Sequence, residues 1–122
     1  MIIIGHKFSE IKNIYTIDSI SDVKNTPNNS IVHLKYDENM IEYLQQNNIN
    51  FAISATNKQE AILSNLAGAK FIIINILPLA KEIQTIANEY LFDSRILLKI
   101  SHIKEINTLY PIDGAILSSS IK

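Results

Sequence analysis

Gly68-Ala69-Lys70-Phe71-Ile72-Ile73-Ile74-Asn75-Ile76 contains the longest β-branched run of the chain, with an apolar helical pattern on each side. A short apolar run bounded in this way reads as a strand buried on both faces, as in a parallel sheet covered by helices. We take it as the central strand. Before it, Thr56 has Gln59 three residues on and Asn57 has Glu60, so either pair forms a helix-opening capping box. Ala61, Ile62, Leu66 and Ala67 make the buried stripe of that helix, and Gly68 stands where a left-handed residue ends it. After it, Pro78 opens a second helix without losing a hydrogen bond. There Leu79, Ile83, Ile86 and Tyr90 form one stripe, with Lys81, Glu82, Gln84, Asn88 and Glu89 on the other side.

The pattern repeats outward. Ile31-Val32-His33-Leu34 reads as a strand, and Asp37 caps a helix through about residue 46 with Met40, Ile41 and Leu44 on one face. Asn50-Phe51-Ala52-Ile53-Ser54 and Arg95-Ile96-Leu97-Leu98-Lys99-Ile100 are further strands. Ser101 opens a short helix holding Ile103, Ile106 and Leu109, which Pro111 ends, and Ala115-Ile116-Leu117-Ser118 is the last strand. Strands thus begin near 31, 51, 71, 95 and 115, each joined by one helix. Such crossovers suit parallel strands and are right-handed. In the first thirty residues, Met1 to Ile4 and Ile14 to Ile17 read as short strands and Ser9 to Lys12 as one helical turn. Ser19 has Asp22 three residues on, a cap-like start, and Thr26 to Ser30 is a loop. The expected architecture is one α/β domain over residues 1–122. It is a three-layer, Rossmann- or flavodoxin-like arrangement of a mainly parallel five- or six-stranded sheet flanked by helices.

The piece from Phe51 to Ile74, with its Thr56-Asn57 cap, Glu60-Ala61 and Gly68-Ala69-Lys70, resembles a repeating unit of (β/α)-barrel enzymes. Ile112-Asp113-Gly114-Ala115-Ile116-Leu117-Ser118-Ser119 resembles a late strand of such a barrel. A full barrel takes ~250 residues. The resemblance therefore implies an alternative, half of a (β/α) barrel that dimerises.

Composition narrows the function classes. The chain has 122 residues, one domain by size, with 47% hydrophobic and 19% charged residues. Its formal net charge is -1, and its eleven basic residues are spread without a cluster, which argues against a nucleic-acid partner. Arg95 is the only arginine. The absence of cysteine excludes disulfides, thiolate catalysis and cysteine-ligated metal centres. Met1 to Ile4 is too short for a signal-peptide core, and the apolar stretch Phe71–Ala80, which contains Asn75 and Pro78, is half of a membrane span. The expectation is a cytoplasmic protein with no membrane partner.

In a parallel sheet ligands bind at the strand C-termini. The residues expected there as ligand contacts are His6, Lys35, Asp37, Asn75, Lys99, Ser101 and His102, with Ser54 and Ser118 to Ser120 nearby. Lysines beside helix N-termini, above all Lys99 with His102 at the helix opening on Ser101, point to a small anion carrying phosphate or carboxylate. Lys99 interrupts an apolar strand, a placement that resembles the Schiff-base lysines of class I aldolases; an edge lysine reaching water reads equally from the same residues. His33 alternates with apolar neighbours and is expected as a core or interface histidine. No metal or other cofactor is expected: the histidines lack ligand spacing, and Gly5, Gly68 and Gly114 are isolated, so no phosphate loop exists. A serine nucleophile lacks its Gly-x-Ser-x-Gly elbow. Tyr90-Leu91-Phe92 at a helix end cannot all face one core, which suggests contact with a second subunit. Two functions follow as expectations. The first is a small binding or assembly module that self-associates, as a homodimer. The second is binding or conversion of a small anionic ligand at the strand C-termini.

Overall fold

The computed structural model describes all 122 residues. Seven strands form one parallel sheet: β1 (Ile2–Ile4), β2 (Tyr15–Thr16), β3 (Val32–Lys35), β4 (Phe51–Ser54), β5 (Phe71–Ile74), β6 (Arg95–Ile100) and β7 (Gly114–Leu117). Their order is β1-β7-β6-β5-β4-β3-β2, which puts β5 at the centre with all four of its residues buried. Helices α1 (Glu38–Gln46), α2 (Lys58–Ala67) and α3 (Leu77–Glu89) join β3 through β6. The count is seven and not five or six because two short strands of the first thirty residues join the sheet. β2, expected over Ile14 to Ile17, has only two residues and holds its place by pairing Tyr15 with Val32 and Thr16 with His33.

From β2 to β7 each strand lies beside the one before it, with no reversal. Right-handed crossovers in such an order all fall on one face of the sheet. The two faces accordingly differ. On one, Leu34, Ile53, Ile72, Ile74, Ile96 and Leu98 pack against Ile41, Leu44, Ala61, Ile83 and Ala87 of the helices. On the other, Ile4, Ile14, Ile31, Ala52, Phe71, Ile73, Leu97 and Ile116 pack together with no helical residue among them. Apolar side chains that no helix covers must cover one another. The sheet therefore curls into a half-barrel, the alternative that the sequence offered, in place of a second helical layer.

The curl is stitched at its ends. The Ile14 N–H donates to the Ser120 carbonyl at 2.9 Å and the Lys122 N–H to the Ile14 carbonyl at 2.8 Å, a parallel bridge between the chain entering β2 and the tail leaving β7. The cap signals hold, while the expected stripes hold only in part: in α2 Ala61 and Ser64 are buried but Ile62 and Leu66 are exposed, and in α3 Gln84 is buried and Tyr90 exposed. Asp37 accepts from the Met40 N–H at 3.0 Å and Asn57 from the Glu60 N–H at 2.9 Å, and Gly68 ends α2 at φ +94°. Ser9 to Lys12 is a loop and not a helical turn. Its backbone is engaged otherwise: Ile11 accepts from the Gly5 N–H, and the Lys12 ammonium donates to the His6 and Lys7 carbonyls. The helix expected from Ser101 is a 3-10 helix, Ile103–Thr108, with His102 at its N-cap. No helix is long and apolar enough to cross a membrane.

Gly114 sits opposite Ile2 in the register, and a Cβ there would run into the Ile2 backbone. Gly114→Ala is expected to push β1 off the sheet and to cost about 1–3 kcal/mol. Denaturant titration measures the loss, and hydrogen exchange should place it at the amides of Ile2 to Ile4.

Candidate site at the concave mouth

The inward rows of the half-barrel change character along the strands. Successive residues alternate faces, so Ile14 is followed inward by Thr16, Ile31 by His33 and Lys35, and Ala52 by Ser54. In the same way Ile73 is followed by Asn75 and Leu97 by Lys99. Apolar residues fill the concave face toward the strand N-termini, and polar ones gather at the C-terminal mouth.

His33 is the hub of that mouth. Its Nδ1 lies 2.9 Å from the Thr16 hydroxyl and its Nε2 lies 2.6 Å from the Ser54 hydroxyl. The imidazole is only 8% exposed, whereas Ser54 is half-buried and Thr16 is exposed. Burial, and after it the positive charge of Lys99, pull the His33 pKa down to about 4. On a flat sheet the three steps from β3 to β6 would span about 14 Å; the curl turns Lys99 toward His33 across the hollow. A neutral imidazole carries one donor and one acceptor, and a hydroxyl serves either, so both ring nitrogens are satisfied in either tautomer.

Lys35 and Lys99 are exposed, and neither has an ionic partner. The ion pairs present are Lys58 with Glu82 at 3.0 Å and Arg95 with Asp113 at 4.0 Å. Asn75 is exposed between β5 and α3. Lys99 is exposed, without the desolvated surroundings on which a Schiff-base amine relies.

The other sequence-nominated residues are engaged locally. Asp37 caps α1. Beside it, the Tyr36 hydroxyl donates to Glu38 at 2.7 Å, which pushes its pKa up to about 12. The Ser101 and His102 N–H groups, the ones an anion would use, donate to the Glu105 carboxylate at 2.9 and 2.8 Å. Those bonds hold Glu105 below the usual carboxylate range. His6 stands apart from the mouth. Its Nδ1 accepts from the Phe8 N–H at 3.1 Å, and its ring meets the Phe8 ring edge-on at 4.7 Å. His6, Asp37 and His102 are not grouped, and no three acidic or histidine side chains stand where they could share a metal ion.

Lys35, Asn75 and Lys99 thus stand at the C-terminal ends of β3, β5 and β6, and Thr16, His33 and Ser54 are bonded to one another at the same ends of the sheet; of these three, only Ser54 is expected there from sequence. The signal for the others was the alternation itself: each follows an inward apolar residue by two.

A second hollow lies elsewhere. A cavity of about 1040 Å³ opens at the strand N-termini, lined by Ile2, Ile4, Phe8, Ile11, Phe71 and Arg95 among others. Charged residues of both signs line it, Lys70 and Arg95 with Glu10 and Asp93, but it holds none of the Thr16–His33–Ser54 row, whose chemistry belongs to the mouth.

The chain matches no protein-family model and no curated protein.

His33 binds a proton more weakly in the folded chain than in the unfolded one, whose pKa is near 6.5. The unfolded state therefore takes up the proton first as pH falls. His33 leaves stability untouched above pH 6.5 and lowers it from there down to about 4, by up to about 3 kcal/mol. Denaturation between pH 7 and 4.5 should show this slope, and His33→Gln should flatten it. An imidazole resonance titrating near 6.5 in the folded protein would contradict it.

Proposed function

We propose that the concave mouth binds a small anionic ligand carrying phosphate or carboxylate, and that the protein is a cytoplasmic binding module for it. The observation that carries this reading is the pair Lys35 and Lys99, two exposed ammonium groups without carboxylate partners beside a neutral row of donors. Unpaired cations on one concave face favour an anion there, and the hydroxyls of Thr16 and Ser54 and the amide of Asn75 supply directional hydrogen bonds. Helix α3, which begins beside Asn75, has no side-chain cap, in keeping with an anion-friendly mouth. A thermal-shift panel of phosphorylated and carboxylated metabolites is the test. A binder at a hundred times its Kd should add ~2.7 kcal/mol of stability. The shift should shrink in salt and vanish in Lys99→Ala. A panel that leaves the midpoint still, or a shift that Lys99→Ala retains, refutes the reading.

A second reading, self-association as a homodimer, draws on the opposite end of the molecule. β1 is a terminal strand with a free edge. Exposed Met1, Phe8 and Ile103 flank it along the large cavity. The rim of that cavity carries Lys70 and Arg95 together with Glu10 and Asp93. Mixed signs suit a two-fold contact, in which each cation faces a carboxylate of the other copy. Tyr90 and Leu91 are also exposed, at 74% and 84%, while Phe92 turns inward onto the core. Sedimentation velocity should find a dimer that Phe8→Glu dissociates without loss of fold. A monomer at high concentration removes this reading.

A further inference from the structure

A hydroxyl nucleophile needs a base at hydrogen-bond distance and a third group that orients the base. Ser54, His33 and Thr16 stand in that order, with 2.6 Å from Ser54 Oγ to His33 Nε2 and 2.9 Å from His33 Nδ1 to Thr16 Oγ1. A buried imidazole requires two partners for its own sake, but two features exceed that need. The Nε2–Oγ separation is short, and Ser54 is half-buried at an open mouth and so within reach of solutes. The tautomer also falls the right way. Thr16 is exposed and can give its own proton to water, which leaves its oxygen to accept from Nδ1–H. Nε2 is then the acceptor for the Ser54 hydroxyl proton.

We propose that Ser54 is a nucleophile that takes the acyl group of a small, negatively charged ester, with His33 as its base and Thr16 as a positioning residue; this rests on the reading of the mouth as an anion site. In the first half, Ser54 Oγ bonds to the acyl carbon while its proton passes to His33 Nε2. The bond from that carbon to the leaving oxygen breaks, and the imidazolium returns the proton to this oxygen. The products are acyl-Ser54 and an alcohol. In the second half, water attacks the same carbon, gives a proton to His33 Nε2, and Ser54 Oγ leaves and recovers it, releasing the acid. Nothing is oxidised or reduced. The Lys99 ammonium, on the same concave face, favours the negative charge of the substrate and of the tetrahedral oxygen.

The test uses 4-nitrophenyl acetate, which is neutral, and 4-nitrophenyl hemisuccinate, which carries a carboxylate. Nitrophenol release is followed by absorbance, and the adduct is mapped by peptide mass. Ser54 should be acylated, and Ser54→Ala should lose the burst. His33→Gln should slow it by roughly 100-fold, the lower range of general-base effects. Thr16→Val should slow it several-fold and Thr16→Ser should restore it. The Thr16 and Ser54 variants keep the test decisive if His33→Gln folds poorly. Hemisuccinate should outrun acetate, and Lys99→Ala should erase the difference. Equal rates for the two esters would overturn the anionic substrate and uphold the nucleophile. No adduct on Ser54 with either ester overturns the proposal, even where an anion binds at the mouth. So does a rate that both His33→Gln and Thr16→Val leave unchanged.

Discussion

The concave face of the sheet has no helix to cover it, and the rest of the molecule follows from that. Phe71, Ile73, Leu97 and Ile116 alternate with residues already buried under α1, α2 and α3. A strand that is apolar on both sides needs two dry environments. Helices that all fall on one face supply one of them. The second is made by bending the sheet until Ile4, Ile14, Ile31 and Ala52 meet the inward residues of β5, β6 and β7. Each isoleucine so covered contributes roughly 1.5–3 kcal/mol. A bent sheet tends to reopen at its ends, and there the Ile14–Ile121 bridge joins the inward residue just before β2 to the tail beyond β7.

Curvature has a chemical consequence as well. It turns inward rows that would lie side by side on a flat sheet toward one another, so that β3 and β6 share one hollow. The apolar lower part of each row makes the curl stable, and the upper part is free to differ. Thr16, His33, Ser54 and Lys99 occupy that upper part, where no packing demand selects a hydroxyl, an imidazole or an ammonium. Lys99 and His33 also act on each other there. The imidazole stays neutral because burial, and then the nearby positive charge, disfavour its cation.

Local order was legible in the sequence and global order was not. The run Phe71–Ile74 announces a two-sided strand, Asp37 and Asn57 announce caps, and Gly68 announces a helix end; each signal lies within a few residues. Lys99 was legible as the charge that interrupts an otherwise apolar run of the strand from Arg95. The polar row was not, because alternation sorts residues into two faces without saying which face is concave. That depends on strand order, which is fixed by contacts between residues far apart, such as Ile2 with Gly114 and Ile14 with Ile121. The strand count fell short because whether the two short strands read near residues 1–4 and 14–17 join the sheet depends on distant partners, β7 for the first and β3 for the second. At Ser101 and His102 the difficulty was one of competition: the helix opening was visible, but Glu105 takes the N–H groups that a ligand would have used.

On our proposal that the mouth binds an anion, proton and anion there are coupled in a definite direction. An anion seated against Lys99 offsets the positive charge that His33 feels, and so relieves one of the two causes that depress the imidazole. Linkage requires the converse: protonation of His33 strengthens the hold on that anion. The size of the coupling is bounded by the lesser cause, because burial is the larger one and a ligand that closes the mouth increases it. An anion that leaves the mouth open therefore raises the affinity of His33 for a proton, while one that seals it works against itself. The two hydroxyls decide between these cases, for they fix how near to the ring a ligand can come. A hydroxyl that gives its proton to the anion can still accept one from the ring, so an anion held by both Thr16 and Ser54 suits a His33 whose two nitrogens, 2.9 and 2.6 Å from those hydroxyls, both donate.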